Sequence, residues 1–316
     1  PVPPARTPRR HIAADWWVYS FTQLAHADGG HDTDAASTTA GGAAADEPAR
    51  DADGAEPSAA ADLAGTFDPR FAGSRFGNVL HAALESADFA AWAGWREGDD
   101  APPGQAGVLH QALRGEGYGE ADLADGLALL TGLVGRTLTV GLPEGGALHA
   151  LPAAERRAEI EFHFALRPTA VPALLGLLHA HGIARGRRGF GLRQRLEGLM
   201  TGMIDLTYRR DGRWYVLDYK SNRLPRYDAP ALAEAMAQSE YDLQALIYTV
   251  ALDRWLRFRL GDGYDYARDF GGIRYLFCRG LEPARDPSPG VFAHRFAPEL
   301  VHALDALFAG HGEDAA

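Results

Sequence analysis

Lysine is almost absent from this chain of 316 residues. Of its 31 Lys and Arg side chains only one is lysine, Lys220. Arg is a planar fork that keeps its proton, whereas Lys is a compact ammonium on a flexible stem whose charge burial can move. A chain that writes nearly every surface cation as Arg keeps Lys where Arg would fail, so Lys220 reads as a chemical residue. A phosphate-gripping Walker loop needs a Gly-Lys pair. The lone lysine follows Tyr219, so the chain carries no ATPase of that kind. Cysteine is equally scarce. Cys278 stands alone, which excludes an internal disulfide and a Cys-ligated zinc or iron–sulfur site. No apolar run approaches the ~18 residues of a membrane span, so no membrane partner is expected. There is no hydrophobic signal core at the N-terminus and no initiator Met. Pro1-Val2-Pro3-Pro4 reads as the start of a cut fragment, and a reducing cytoplasm fits best.

What is present is unevenly spread. The net charge is −11, which argues against a nucleic-acid binder until it is mapped. Between Asp28 and Asp62 lie nine acids and one base, Arg50, so that stretch carries −8 and the remainder −3. Residues 27–64 are rich in Ala, Gly and Asp and read as a flexible acidic linker that cannot repay its ordering entropy. Before it, residues 1–26 form a residual segment holding an amphipathic piece around Trp16, Trp17, Tyr19 and Phe21, with Ser20 placed to cap a helix start. After it, residues 65–316 form the folded domain. There Arg185, Arg187, Arg188, Arg193 and Arg195 form one basic cluster, and Arg254, Arg257 and Arg259 another. Such clusters either track phosphates or make an ordinary solvated face.

Periodicity predicts helices over 76–85, 105–140 (split at Gly115–Gly119), 170–182, 230–259 and 298–309. It predicts strands over 159–166 and 271–278, and a hairpin from Leu199 to Lys220. This order implies an α/β fold with a mixed central sheet flanked by helices.

The hairpin carries the chemistry. Asp211-Gly212 is a strong two-residue turn signal. With Arg210 opposite Arg213, counting back puts Asp205 opposite Asp218. Carboxylates at opposed positions repel, so this pair calls for a cation. Alternation brings Lys220 to the face of Asp218. Two acids and an ammonium in one patch suit Mg²⁺, which takes hard oxygen ligands and polarises a phosphoryl oxygen. Lys220 would then orient the attacking water or steady charge on phosphorus; the bland alternative is a structural Asp–Lys–Asp cluster. His81 joins as a metal ligand if its helix packs beside the hairpin. Gln244 and Tyr248, four apart on one helix face, are candidates to bind substrate, or are plain packing.

Four motifs occur in order: Gly77 to His81, Gly202 to Asp205, Asp218-Tyr219-Lys220, and Gln244 to Tyr248. Together they resemble the RecB-type branch of the PD-(D/E)XK nucleases, over roughly 65–310. The resemblance implies a restriction-endonuclease-like core in which His81, Asp205, Asp218 and the backbone carbonyl of Tyr219 hold Mg²⁺ (Mn²⁺ substituting). Lys220, Asp218 and Asp205 would be catalytic, with Gln244 and Tyr248 binding substrate. It implies DNA, as linear single strands, for substrate, RecC and RecD as companion subunits, RecA as a docking partner, and a bacterial cytoplasm. ATP would serve only a helicase part absent from this chain. The alternatives are a free-standing RecB-like exonuclease and a docking module that no longer cuts. The tether-like linker disfavours the first, and the intact Asp205, Asp218 and Lys220 set disfavours the second. Neither spacing nor resemblance decides whether Glu159 or Glu161 approaches the metal.

Overall fold

A computed structural model describes residues 17–21, 24 and 68–311 of the chain. The acidic linker at 27–64 lies outside the described residues. Six strands form one mixed sheet: β1 (Trp17–Tyr19), β2 (Arg156–Ala170), β3 (Arg195–Arg210), β4 (Arg213–Lys220), β5 (Phe270–Phe277) and β6 (Val291–His294). The helices are α1 (Gly73–Ser86), α2 (Gln105–Gly115), α3 (Glu120–Thr139), α4 (Val171–Ala180), α5 (Ala229–Gln238), α6 (Tyr241–Leu260) and α7 (Pro298–Phe308), with shorter helical turns between them.

The sheet separates two cores. One face packs α1, α2 and α3 against Leu206, Tyr208, Leu217 and Tyr219. The other packs α4, α5, α6 and α7 against Ile204, Val216, Ile273 and Tyr275. Helix α1 shows why. Phe76, Val79, Leu80, Ala83 and Leu84 are buried, the stripe that a 3.6-residue period lays on one face. Helices on both faces of a mixed sheet make the molecule α/β, as the sequence predicts.

The hairpin register is the predicted one. Arg210 pairs with Arg213, and the ladder runs back to Leu206 opposite Leu217. Asp211 and Gly212 both have positive φ, 49° and 80°, the geometry of a type I′ turn, whose twist matches that of the strands. β2 runs antiparallel along one edge of β3 from Arg195 to Tyr208. β1 and β4 must therefore share the other edge. β1 takes residues 198–200 in parallel pairing and β4 takes 206–210. Among the described residues, no strand pairs with 201–205 on that side. This notch in the sheet lies beside Asp205.

Two expectations need correction. The predicted helix over 230–259 is two helices, because Glu240 adopts a left-handed conformation at φ 54°. A non-glycine residue in that region costs roughly 1–2 kcal/mol. Tertiary contacts hold it: the buried Arg187 guanidinium grips the Glu240 carboxylate at 2.5 Å, and Asp242 accepts the Ala184 N–H at 3.1 Å. Arg187 is thus a fastener inside the fold rather than part of a solvated basic face. Arg257 likewise pairs with Asp305 at 2.5 Å, and Arg254 also reaches that carboxylate. Before Ser20 the amphipathic piece forms β1, and the Ser20 carbonyl accepts the Leu24 N–H at 3.0 Å, as a helix start there requires. Strand β6 has no counterpart in the sequence prediction.

Candidate active site

β3 and β4 part immediately beyond the Leu206–Leu217 pair. Asp205 and Asp218, the next two residues in register, stand at the fork. No ladder bond joins them. Instead the Asp205 carboxylate reaches across: Oδ2 accepts the backbone N–H of Tyr219 at 2.8 Å. Gly202 prepares this stretch of β3. A Cβ there would come within 2.6 Å of the Phe162 ring, so the glycine leaves room for that ring to lie across β3.

α1 supplies the next group. Its apolar stripe seats it on the sheet, which brings His81 Nδ1 to 3.3 Å from Asp205 Oδ1. From the other face comes the lysine. Leu217 and Tyr219 enter the core with α1, so Asp218 and Lys220 alternate to the side of α6. Lys220 Nζ sits 2.8 Å from Asp218 Oδ2, and both side chains are almost wholly buried. Asp205, Asp218, Lys220 and His81 are therefore brought together as the sequence predicts, at a fork rather than on one flat face.

Electrostatics separates the two acids. Burial pushes the Asp218 carboxyl up to about 7; the nearby Asp205 adds to this and Lys220 only partly opposes it. Burial also acts to raise Asp205, but His81, Lys220 and the Tyr219 N–H outweigh it and hold that carboxyl below the usual range. A buried and a part-buried carboxylate thus lie near one ammonium, and the site is short of positive charge. Two carboxylates, the Tyr219 carbonyl and one imidazole are the hard oxygen and nitrogen donors that a small divalent cation takes. The residues fit such an ion by charge and donor chemistry. Among the described residues no three His, Cys, Asp or Glu side chains form a ready-made cage.

Glu159 and Glu85 also reach the site. Ala158 pairs with Leu206 and Ile160 with Ile204, so Glu159 falls opposite Asp205 on the second strand. Its φ of 47° breaks the ladder there. Glu159, Glu85, His81 and Asp205 line one small cleft. Burial raises the Glu159 carboxyl, with Glu85 and Asp205 adding to the effect. Glu161 turns away and pairs with His163 at 3.2 Å on the exposed side. Glu85 was findable in the sequence, since it lies one helical turn beyond His81. The remaining two predicted residues lie deeper. Gln244 and Tyr248 are each 1% exposed. Gln244 Nε2 donates to the Tyr248 hydroxyl at 3.2 Å, and Gln244 Oε1 accepts from Tyr275 at 3.0 Å.

The model of the PD-(D/E)XK nuclease superfamily matches residues 58–286. The chain belongs to that superfamily, in its RecB-type branch. It is 36% identical over 189 residues to the RecBCD enzyme subunit RecB of Escherichia coli (strain K12), covering 58% of this chain and 16% of that protein. It is 33% identical over 333 residues to the RecBCD enzyme subunit RecB of Mycobacterium tuberculosis (strain ATCC 25618 / H37Rv), covering 94% of this chain and 29% of that one. The same subunit of Haemophilus influenzae is 45% identical over 119 residues, 36% of this chain and 10% of the relative. The chain thus spans less than a third of the length of these relatives. PD-(D/E)XK nucleases generally use divalent metal ions, in keeping with the donor set at the fork.

Proposed function

We propose that this chain is a Mg²⁺-dependent deoxyribonuclease that hydrolyses phosphodiester bonds in linear single-stranded DNA. We further propose that it forms the nuclease part of a RecB subunit, working with RecC and RecD in a helicase–nuclease of the exodeoxyribonuclease V type in double-strand-break repair and homologous recombination. The observation that carries the first proposal is the fork itself, where Asp205, Asp218 and the lone Lys220 converge. The second is supported by likeness to RecB subunits along most of the chain. The RecA partnership and the bacterial cytoplasm rest on resemblance. No described helix is long and apolar enough to cross a membrane. ATP belongs to a helicase part outside this sequence.

In this reading His81, Asp205, Asp218 and the Tyr219 carbonyl hold Mg²⁺, with Mn²⁺ as a substitute. Bound there, the cation supplies Lewis-acid polarisation of the scissile phosphoryl group. Asp205 braces the fork through the Tyr219 N–H and keeps its charge because His81 and Lys220 flank it. Lys220 donates hydrogen bonds to the attacking water and to the phosphoryl oxygens as charge develops on them. Asp218 fixes that ammonium in place. Digestion of labelled linear single-stranded DNA tests the proposal. Wild type should cut in Mg²⁺ and not in chelator, and Lys220→Ala and Asp218→Ala should each abolish cutting. Equal activity in all three proteins, or none in wild type, would leave a DNA- or protein-docking module as the better reading.

A further inference from the structure

We infer that Tyr241, Tyr275 and Gln244 are positioning residues for the Lys220 ammonium, so that the Gln244–Tyr248 pair acts on the reaction through Lys220 rather than by touching DNA. The inference rests on reading Lys220 as the catalytic cation, and it assigns the Gln-x-x-x-Tyr motif a mechanical task.

Lysine on its own is poorly fixed, being a four-carbon stem ending in a charge that can point many ways. Here it is boxed. Lys220 is 1% exposed, and its Nζ lies 4.2 Å from the ring centre of Tyr241 and 5.5 Å from that of Tyr275. Aromatic faces are electron-rich and attract an ammonium at such distances. Asp218 sits on a third side at 2.8 Å. Both rings are tied at their hydroxyls. Tyr275 donates to Gln244 Oε1 at 3.0 Å, and Gln244 in turn donates to Tyr248 at 3.2 Å. Tyr241 donates to Asn222 Oδ1 at 3.2 Å. A continuous chain of contacts therefore runs from Tyr248 through Gln244 and Tyr275 to the ammonium. Gln244 and Tyr248 are too buried to meet a phosphate where they stand. What Gln244 does hold is the tilt of the Tyr275 ring beneath the charge.

The single lysine makes this directly observable. In the full chain grown with ¹³C,¹⁵N-lysine, only Lys220 contributes a lysine side-chain signal. Ring currents from the two tyrosines should shift its εCH₂ well away from the free-lysine position. In the double variant Gln244→Met with Tyr275→Phe both partners of one bond go together and the ring remains, while the Tyr248 hydroxyl loses its Gln244 donor. We expect the Lys220 signal to move toward the free position while the melting temperature falls by only about 2–4 °C, the cost of one buried hydrogen bond. We expect kcat for single-stranded DNA in Mg²⁺ to fall about tenfold at unchanged KM, the signature of a reacting group slightly misplaced. If the double variant does not fold, Tyr275→Phe alone carries the same expectation at smaller size. An unmoved signal overturns the inference, and so does a moved signal with unchanged kcat. A signal that is shifted in wild type and moves in the variant, in a protein that never cuts DNA, would instead remove the nuclease reading and leave the box around Lys220 intact.

Discussion

At the scale of single residues, the site is governed by a shortage of positive charge. Asp218 is buried against the one ammonium, Asp205 stands part-buried beside it, and the cost falls on Asp218, whose carboxyl is pushed up to about 7. The sign follows directly. A carboxyl with a raised folded-state pKa favours folding while it is protonated in the folded state, and loses that advantage as pH rises from about 4 through about 7. Divalent metal must displace the same proton. Mg²⁺ affinity, measured by titration calorimetry, is therefore expected to weaken as pH falls through 7, with proton release on binding. In Asp218→Asn that pH dependence should largely vanish along with tight binding. Affinity in wild type that stays flat from pH 6 to 8 would show that Asp218 is not a ligand. Lys220 was legible because the chain has no other lysine. Glu159 was not, because its approach to Asp205 depends on β2 lying along the far edge of β3 and on a left-handed backbone at that one position.

At the scale of elements, the hairpin was readable because its register is local: Asp211-Gly212 sets the turn, and alternation does the rest. The break between α5 and α6 was unreadable for the opposite reason. It is imposed by Arg187, more than fifty residues upstream in sequence. The notch beside Asp205 is likewise a product of three strands. β1 closes its far end, and its pairing depends on Gly198. That residue has φ 152°, and a Cβ there would meet the Trp17 carbonyl oxygen at 1.7 Å. Gly198→Ala is expected to detach β1 and leave the rest of the sheet in place. Hydrogen exchange would then show loss of protection at Trp17–Tyr19 and unchanged protection in β4 and β5. Global unfolding would contradict this; so would retained protection in β1.

At the scale of the whole molecule, helices on both faces clamp the sheet, and the face opposite Lys220 carries its own buried ion pair. Arg274 Nε lies 2.8 Å from Glu144 Oε2, with both side chains under a tenth exposed. Tyr208 also donates to Glu144, and Tyr208 stacks on Tyr215 across the hairpin at 4.9 Å. This network ties the loop after α3 to β5 and to β3 and β4, the two strands that hold Asp205 and Asp218. Removing one member of a buried pair strands the other and costs about 3–5 kcal/mol. Glu144→Ala should therefore lower stability by that order in denaturant titration, whereas a change below ~1 kcal/mol would mean that the pair behaves like a solvent-exposed one.

Lys220 matters to this site as a compact ammonium held by Asp218 and by the rings of Tyr241 and Tyr275. One substitution isolates that claim. Lys220→Arg keeps the charge and discards the shape. In digestion of labelled linear single-stranded DNA with Mg²⁺, wild type is predicted to cut and Lys220→Arg to lose on the order of a hundredfold or more in rate, since small misplacement at the reacting centre carries that penalty. A wild type that does not cut, or a Lys220→Arg variant that cuts as fast, would contradict the account.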